Sequence, residues 1–281
     1  MRFASRAKAG AHPLVAGLFL LLVAAGYAQA PWRFREGRIP ARFAPNEMPD
    51  GGFTFCRIMY TSVRPEPMGV GWATDYPYAE INLLTRLSEL TRTAISRDQQ
   101  GQPNHWVVRL TDDALFNCPI TLVSDAGTVG FTEQETVRLR EYLLKGGFLW
   151  ADDFWGTLAW KHWEAQIGRV LSPADYPIVD VAPGDPIWRS QFQVTEVPQI
   201  TNILFWRTVG GSTTSERGRD SEQAHFRVIR DARGRIMVVM THNTDIADSW
   251  EREGEDPGFF QQFSPDGYAF GINVILHATT H

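Results

Sequence analysis

The chain has 281 residues, of which 43% are hydrophobic, and its 27 basic and 32 acidic side chains give a formal net charge of −5. This length is sufficient for one well-cored domain or two small ones. The acidic balance argues against nucleic acid and anionic lipid as partners, because phosphate binding is driven by clustered Lys and Arg.

Residues 1–30 have the pattern of a cleaved export signal. A basic start at Arg2, Arg6 and Lys8 is followed by an apolar stretch, 14–26, which is short for a bilayer span, and by the small-residue pattern Ala-Gln-Ala. An uncleaved anchor fits this pattern less well. Cleavage removes three positive charges and no negative ones, so the net charge of −5 becomes −8. We therefore expect an exported protein, periplasmic or secreted, with no stable membrane span after cleavage.

The remaining chain predicts a short arm and one α/β domain. Residues 31–52 are rich in Arg, Pro and Gly, which indicates an extended arm laid on the surface. From 53 to 281, strand and helix patterns alternate, as is typical of a three-layer, doubly wound, mostly parallel sheet. The predicted elements are a strand at 53–60, a helix at 81–95, strands at 106–110 and 119–123, a helix beginning after Thr132, a strand at 148–151, a helix at 160–171, a strand at 176–181, a hairpin of 224–231 and 235–241, and a closing helix at 264–278.

The stretch 131–156 organises this prediction. Thr132 and Glu135 form a capping-box pattern, Gly146 provides a helix stop, and the apolar run 148–151 predicts a central strand covered on both faces. Asp152 and Asp153 follow at the carboxyl end of that strand, where open α/β sheets bind their ligands.

Two interpretations of this acid pair remain open. Paired carboxylates repel each other, so that one can be held protonated as an acid. Neighbouring side chains of an extended segment point to opposite faces, however, so that one of Asp152 and Asp153 is also able to cap the following helix while the other enters a cleft.

A second polar cluster follows the last predicted strand. His242, Asn243, Asp245 and Asp248 lie within the segment THNTDIADSWEREGED. His242, Asp245 and Asp248 are metal-ligand types, but the HExxH, CxxC and calcium-loop patterns are missing, and a hydrogen-bonded turn at Asn243 and Asp245 explains the same residues. We therefore expect no metal and no cofactor.

Nucleophilic catalysis has little support. The sequence has no G-x-S-x-G elbow, and Ala151, Asp152 and Asp153 occupy the place of such an elbow. Ser215 and Arg217 lie in a polar loop that suits either anion binding or plain solvation. Trp155 lies beside the aspartates, where an aromatic ring serves sugar binding or ordinary packing.

The chain has two cysteines, Cys56 in a predicted strand and Cys118 just before another. Two alternatives remain: small buried hydrophobic side chains, or a disulfide in an oxidising compartment. The first is favoured, because strand positions rarely bring two Cα atoms within bonding range by chance.

Several segments resemble a known family. They are FTFCRIMY, TDYPYAEINLLTRLSELT, LLKGGFLWADDFWG, GGSTTSERG and the stretch from THNTDIADSWEREGED through FSPDGYAFGINVILHA. Together they are similar to the family named domain of unknown function 4159, over roughly residues 53–281. The resemblance implies a class I glutamine amidotransferase-like fold, close in outline to ThuA-like proteins.

In those relatives a GGG-strand-His segment and a later Gly-His-Asp line the cleft. Here Gly146 and Gly147 with Asp152 and Asp153 look like the first, and residues 241–243 look like the second. The amidotransferase cysteine is absent at the elbow. Some larger relatives join this domain to membrane segments of the aerotolerance (Bat) type, which implies envelope assemblies.

Two functions are therefore carried forward. The first is a non-catalytic module of the bacterial cell envelope that binds a partner protein or a glycan. The second is a hydrolase of a carbohydrate or an amide, with or without a metal, in which Asp152, Asp153 and His242 are the catalytic candidates. The predicted ligand-binding residues are Asp152, Asp153, Trp155, His242, Asn243, Asp245, Asp248, Ser215 and Arg217.

Overall fold

The computed structural model describes residues 39–281, so that the predicted signal at 1–30 and residues 31–38 of the arm lie outside the described residues. The described chain contains nine strands. They are β1 (Phe55–Met59), β2 (Thr61–Ser62), β3 (Trp106–Arg109), β4 (Ile120–Val123), β5 (Val129–Gly130), β6 (Phe148–Phe154), β7 (Ile178–Asp180), β8 (His225–Arg230) and β9 (Ile236–His242).

Seven of these strands form one sheet in the order β3-β1-β4-β6-β9-β8-β7. The strands from β3 to β9 in this order run parallel to their neighbours, whereas β8 is antiparallel to β9 and β7 is antiparallel to β8. Strands β2 and β5 form a separate antiparallel pair. The predicted mostly parallel sheet and the predicted hairpin are therefore confirmed.

Helices cover both faces of the sheet. They are α1 (Tyr78–Leu90), α2 (Glu133–Leu144), α3 (Gly156–Val170), α4 (Ile203–Thr208), α5 (Asp248–Glu251) and α6 (Pro257–Thr280). Apolar residues of α1, α5 and α6 build one hydrophobic core with the sheet, and those of α2 and α3 build a second core on the opposite face. Among the described residues, no helix has both the length and the apolar character needed to cross a membrane.

The capping box at the start of α2 is confirmed. The Thr132 hydroxyl accepts a hydrogen bond from the Glu135 amide at 3.2 Å, and the Thr132 amide donates to the Glu135 carboxylate at 2.9 Å. This reciprocal pair satisfies two amides that the first helical turn leaves unpaired. The helix start was therefore readable from the two side chains alone.

Several predicted boundaries are wrong. Strand β6 continues through Phe154 instead of ending at residue 151, and α3 begins at Gly156 instead of residue 160. The closing helix α6 begins seven residues before the predicted start at residue 264, because Asp256 accepts hydrogen bonds from two amides of its first turn and Pro257 follows at a position that proline favours.

Two other elements are shorter than predicted. Helix α1 ends at Leu90 because Thr91 is extended, and Ile95 forms an isolated parallel bridge with Phe53 instead of continuing the helix. The strand predicted at 176–181 covers only β7, an edge strand with two exposed residues. The apolar residues around it therefore did not indicate a longer strand.

The described part of the arm, residues 39–52, covers the outer edge of β3. The Val107 amide donates to the Arg42 carbonyl at 2.8 Å, and the Ala44 amide donates to the Val107 carbonyl at 2.9 Å. A covered edge has fewer free backbone groups available for pairing with another chain.

The favoured expectation of two unpaired cysteines is wrong, because Cys56 and Cys118 form a disulfide. Strands β1 and β4 are neighbours with Phe55 opposite Ile120, which brings Cys118, two residues before β4, close to β1. The two Cα atoms are 5.9 Å apart, within the normal range for a disulfide. Sequence spacing alone did not reveal this adjacency, since it depends on the strand order.

Reduction of this disulfide should destabilise the domain. The bond closes a loop with a sequence separation of 62 residues, for which the loss of chain entropy in the unfolded state corresponds to about 4 kcal/mol. Urea unfolding with and without a reductant measures this difference, and the Cys56→Ala/Cys118→Ala double variant serves as the control that a reductant should not affect. An unchanged unfolding midpoint after complete reduction would contradict the prediction.

Candidate functional site

The carboxyl ends of β6 and β9 meet at one edge of the sheet. Phe154 lies opposite His242, and the amide of Asn243 donates to the Phe154 carbonyl at 2.9 Å. The chain therefore leaves both strands at the same place. Residues 152–155 and 243–248 both lie at the edge where parallel sheets bind their ligands.

Asp75 reaches this edge from the loop before α1. Arg57 of β1 is fully buried, and it donates Nη1 to the Thr74 carbonyl at 2.6 Å and Nε to the Glu80 carboxylate. The loop is thereby anchored to the sheet directly beside Asp75. A residue far from both predicted polar clusters in sequence thus joins the site.

Three carboxylates, which we call the acidic triad, converge here. Asp75, Asp153 and Asp245 each offer an oxygen that lies within 4.8 Å of the oxygens offered by the other two. Their exposed fractions are only 5%, 9% and 1%, respectively. Three buried carboxylates in contact are unfavourable unless protons or a cation compensate their charge.

Each carboxylate of the triad has one oxygen that accepts a hydrogen bond and one that has no donor among the described residues. The paired oxygens are Oδ2 of Asp75, Oδ1 of Asp153 and Oδ1 of Asp245. Their donors are, in that order, Ser124 Oγ at 2.9 Å, Trp155 Nε1 at 3.0 Å and the Asp248 amide at 2.9 Å. None of the three remaining oxygens is among the fully buried atoms without a partner, so they keep contact with solvent and are open to an external ligand.

The backbone around the triad is strained. Asp75, Asp125, Asp153 and Asn243 all have a positive φ, between 51° and 65°. The left-handed region costs roughly 1 to 2 kcal/mol for an L-residue, less for Asp and Asn, whose side chains can hydrogen-bond locally. Such strain concentrates at functional sites, which supports a functional role for this edge.

Burial shifts the acidity of the triad. It raises the pKa of Asp75 to about 6. Burial followed by repulsion from Asp75 raises the pKa of Asp153 well above its ordinary value, and burial followed by repulsion from Asp153 does the same for the pKa of Asp245. Burial and mutual repulsion therefore both oppose full ionisation of the three carboxylates.

The neighbouring acids Asp152 and Asp248 are fully hydrogen-bonded. Asp152 accepts from the Thr241 hydroxyl and from the Ala247 amide at 3.0 Å, and it does not cap α3. Asp248 accepts from the Ile203 amide at 2.8 Å and from Arg252 Nε at 3.3 Å. Burial raises the pKa of both to about 7. Their contacts connect segments of the fold and leave no oxygen for a ligand.

A second set of close carboxylates shares Asp75 with the triad. It consists of Asp75, Asp248 and Glu251. Arg252 Nε lies 3.3 Å from Asp248 and 2.8 Å from Glu251. This arginine already compensates the second set, whereas Asp153 and Asp245 form no ion pair with a basic side chain of the described residues.

The structure separates His242 from the triad. Its ring packs between Phe154 and Trp160, with centroid distances of 5.1 and 5.2 Å, in the core beneath α3. Thr241, the preceding residue, faces Asp152 on the other side of the sheet, because side chains alternate along a strand. His242 and the aspartates, which the sequence analysis grouped in one site, therefore lie on opposite faces of the sheet.

Both ring nitrogens of His242 are occupied. Burial lowers its pKa to about 4, so that the ring is neutral at pH 7. Nε2 donates to the Gly156 carbonyl at 3.1 Å, and Nδ1 accepts from Arg227 at 3.4 Å. These contacts suit a packing role.

Two other predicted residues support the backbone of the site. Asn243 accepts from the Gly156 amide at 2.7 Å and donates to the Gln223 carbonyl at 2.8 Å, which ties β9 to the start of α3. Trp155 is 4% exposed and donates to Asp153. It positions a carboxylate rather than offering an open aromatic platform.

The polar loop with Ser215 and Arg217 lies next to the triad. The Ser215 hydroxyl donates to the Gly218 carbonyl at 2.5 Å. Arg217 lies 3.2 Å from Glu66 and 3.3 Å from Glu216, so its charge is already balanced by two glutamates. The carboxylate of Glu216 is near enough to raise the pKa of Asp153.

Asp75 and Asp125 are the residues that the sequence analysis missed. Each lies in an irregular segment with no motif, and the sequence TDYPY around Asp75 reads as an ordinary proline-containing loop. The signal that existed was an aspartate in a turn before a helix, which occurs in many proteins without a ligand.

Comparison with protein families gives a match over most of the chain. The family model described as Domain of unknown function (DUF4159) matches residues 54–279. A comparison with curated proteins found no match. The match spans the whole sheet, the triad and helix α6 almost to its end, and we conclude that this chain belongs to the family described as Domain of unknown function (DUF4159).

Proposed function

We propose that this protein is an exported, non-catalytic domain that binds a positively charged ligand at the acidic triad. The proposal rests on one observation. Three carboxylates, each at least 91% buried, lie close together, and one oxygen of each accepts no hydrogen bond from the described residues. Purely structural acids would resemble Asp152 and Asp248, whose oxygens are all paired. Like charges held together against their own repulsion indicate a binding site.

A hydrolase with His242 as the acid or base has less support. A general base must reach the reacting proton, but His242 lies in the core under α3 and uses both nitrogens. The two cysteines of the chain are joined in the disulfide, so neither offers a thiol nucleophile. Ligand binding therefore explains the site better than acid–base hydrolysis.

We further propose that the fold is class I glutamine amidotransferase-like and similar to that of ThuA-like proteins. A mostly parallel sheet with helices on both faces supports this relationship. We also propose a periplasmic or secreted location, which the disulfide supports, because disulfides persist in oxidising compartments. In the cell envelope, the partner would be a protein or a glycan.

The triad should destabilise the ligand-free protein. Asp245→Asn keeps an oxygen for the Asp248 amide and removes one repelling charge, so we expect the free energy of unfolding at pH 8 to rise by about 0.5 to 2 kcal/mol. Asp153→Asn should behave in the same way, because its oxygen can still accept from Trp155. Urea unfolding in a chelating buffer measures both.

Asp248→Asn is the matched control, three residues away and equally buried. Both partners of Asp248 are hydrogen-bond donors, so the NH₂ group of an asparagine would face another donor. We therefore expect the free energy of unfolding to fall by about 3 kcal/mol. Equal destabilisation by Asp245→Asn and Asp248→Asn would show that the triad is structural and would overturn the proposal.

The stability of the ligand-free protein should fall as pH rises through about 6 to 7. Carboxylates with raised pKa values bind more protons in the folded state than in the unfolded state, so their contribution is present at low pH and lost above the folded pKa, about 6 for Asp75 and about 7 for Asp152. His242 acts oppositely, since its lowered pKa removes stability only as pH falls towards about 4.

The difference between the wild type and Asp245→Asn isolates the triad, because all other titrating groups are shared. Thermal unfolding from about pH 5 to about pH 8 in a chelating buffer should show a smaller loss of stability in the variant. Identical pH profiles would contradict the expected repulsion.

A further inference from the structure

We propose that the acidic triad binds one hard divalent cation, of the calcium or magnesium class, through one oxygen each of Asp75, Asp153 and Asp245. This inference rests on the proposed binding function and names its ligand. It also reverses the sequence-based expectation of no metal, because the set of ligands differs from the one considered there. Asp75 and Asp153 take the places of His242 and Asp248.

The spacing of the oxygens fits such an ion. Calcium binds oxygen at 2.3 to 2.6 Å, so two ligand oxygens on opposite sides of it lie about 4.6 to 5.2 Å apart, and magnesium at 2.0 to 2.1 Å requires about 4.0 to 4.2 Å. The three carboxylates offer oxygens that all lie within 4.8 Å of one another. One such ion fits between the three carboxylates with at most a small movement of their side chains.

The undonated oxygens are the second indication. Asp75 Oδ1, Asp153 Oδ2 and Asp245 Oδ2 accept no hydrogen bond from the described residues, although their side chains are at least 91% buried. A cation supplies the missing positive partner. Carboxylate oxygens are the preferred ligands of calcium, magnesium and manganese, whereas zinc and copper favour nitrogen and sulfur.

Asp125 gives an independent sign at the border of the triad. It is 2% exposed, its Oδ2 accepts from the Gly71 amide at 2.8 Å, and its Oδ1 is buried without a partner among the described residues. Asp125 and Glu216 both raise the pKa of Asp153. The negative charge around the triad is therefore larger than that of its three members.

Basic side chains near the triad are committed to other acids. Arg57 pairs with Glu80, Arg217 with Glu66 and Glu216, and Arg252 with Asp248 and Glu251. Burial raises the pKa of Asp75, and Arg57 and Arg252 partly offset that rise, so these arginines compensate some of the charge of Asp75. The remaining charge of the triad is left for protons or a ligand. With exposed fractions of 9% or less, these carboxylates admit a bare ion more readily than an organic ammonium group.

One of these arginines, Arg252, limits the site to one ion. Asp75 also belongs to the set with Asp248 and Glu251, which would suit a second, bridged cation. Arg252 Nε contacts both Asp248 and Glu251 and would repel that ion. We therefore expect a stoichiometry of one.

Isothermal titration of the chelator-treated, dialysed full chain with calcium, magnesium and manganese chlorides tests the inference. We expect one ion per chain and a rise in the unfolding temperature. Asp153→Asn and Asp245→Asn should each weaken binding by at least about 100-fold, the upper end of the loss caused by removing a hydrogen-bond partner of a metal ligand. Asp266→Asn, at an exposed acid of α6, should bind as the wild type does.

The outcomes separate the two proposals. If none of the three metal ions binds but spermidine stabilises the wild type and not Asp153→Asn, the metal-ion proposal is wrong and the proposed binding of a positively charged ligand is retained. Failure of both the metals and spermidine would overturn both proposals. Ion binding that survives in both triad variants would place the ion elsewhere and would also overturn the inference.

Discussion

The parallel pairing of β6 with β9 is the constraint on which the site depends. It brings the ends of two strands, separated in the chain by more than a helix and a hairpin, to one edge of the sheet. Asp153 and Asp245 meet only because both strands stop at the same level, which the hydrogen bond from the Asn243 amide to Phe154 secures. Arg57 then holds the loop that adds Asp75.

This arrangement is unfavourable by itself. Buried like charges and left-handed aspartates each raise the free energy of the folded state. Two hydrophobic cores, one on each face of the sheet, and the disulfide between Cys56 and Cys118 offset that cost. The domain thus has stable layers on both sides of a strained edge, as expected where stability is given up for binding.

Much of the fold could be predicted from local patterns. The capping box at Thr132, the buried run of β6 and the hairpin of β8 and β9 each depend on residues close in sequence, and all three are present. Element ends were less predictable, because the start of α3 at Gly156 depends on a hydrogen bond to Asn243, which follows β9 and lies far away in the sequence. The disulfide likewise required the order of the strands.

The site was only partly predictable for the same reason. Strand ends indicated Asp153 and Asp245, but the bulge between Ala151 and Phe154 in β6 decides which acid is free, and no local pattern revealed it. His242 also follows a strand, yet alternation along β9 turns it towards the aromatic core. The sequence around Asp75 has no motif that indicates a site, because only the folded loop brings this residue to the edge of the sheet.

Anomalous diffraction from crystals grown with manganese chloride tests the central claim most directly. The account predicts one strong anomalous peak bounded by oxygens of Asp75, Asp153 and Asp245, at a distance of about 2.1 to 2.3 Å from each. A well-diffracting crystal grown with manganese that shows no anomalous peak between these residues, or shows its only peak at another group of acids, would contradict the account.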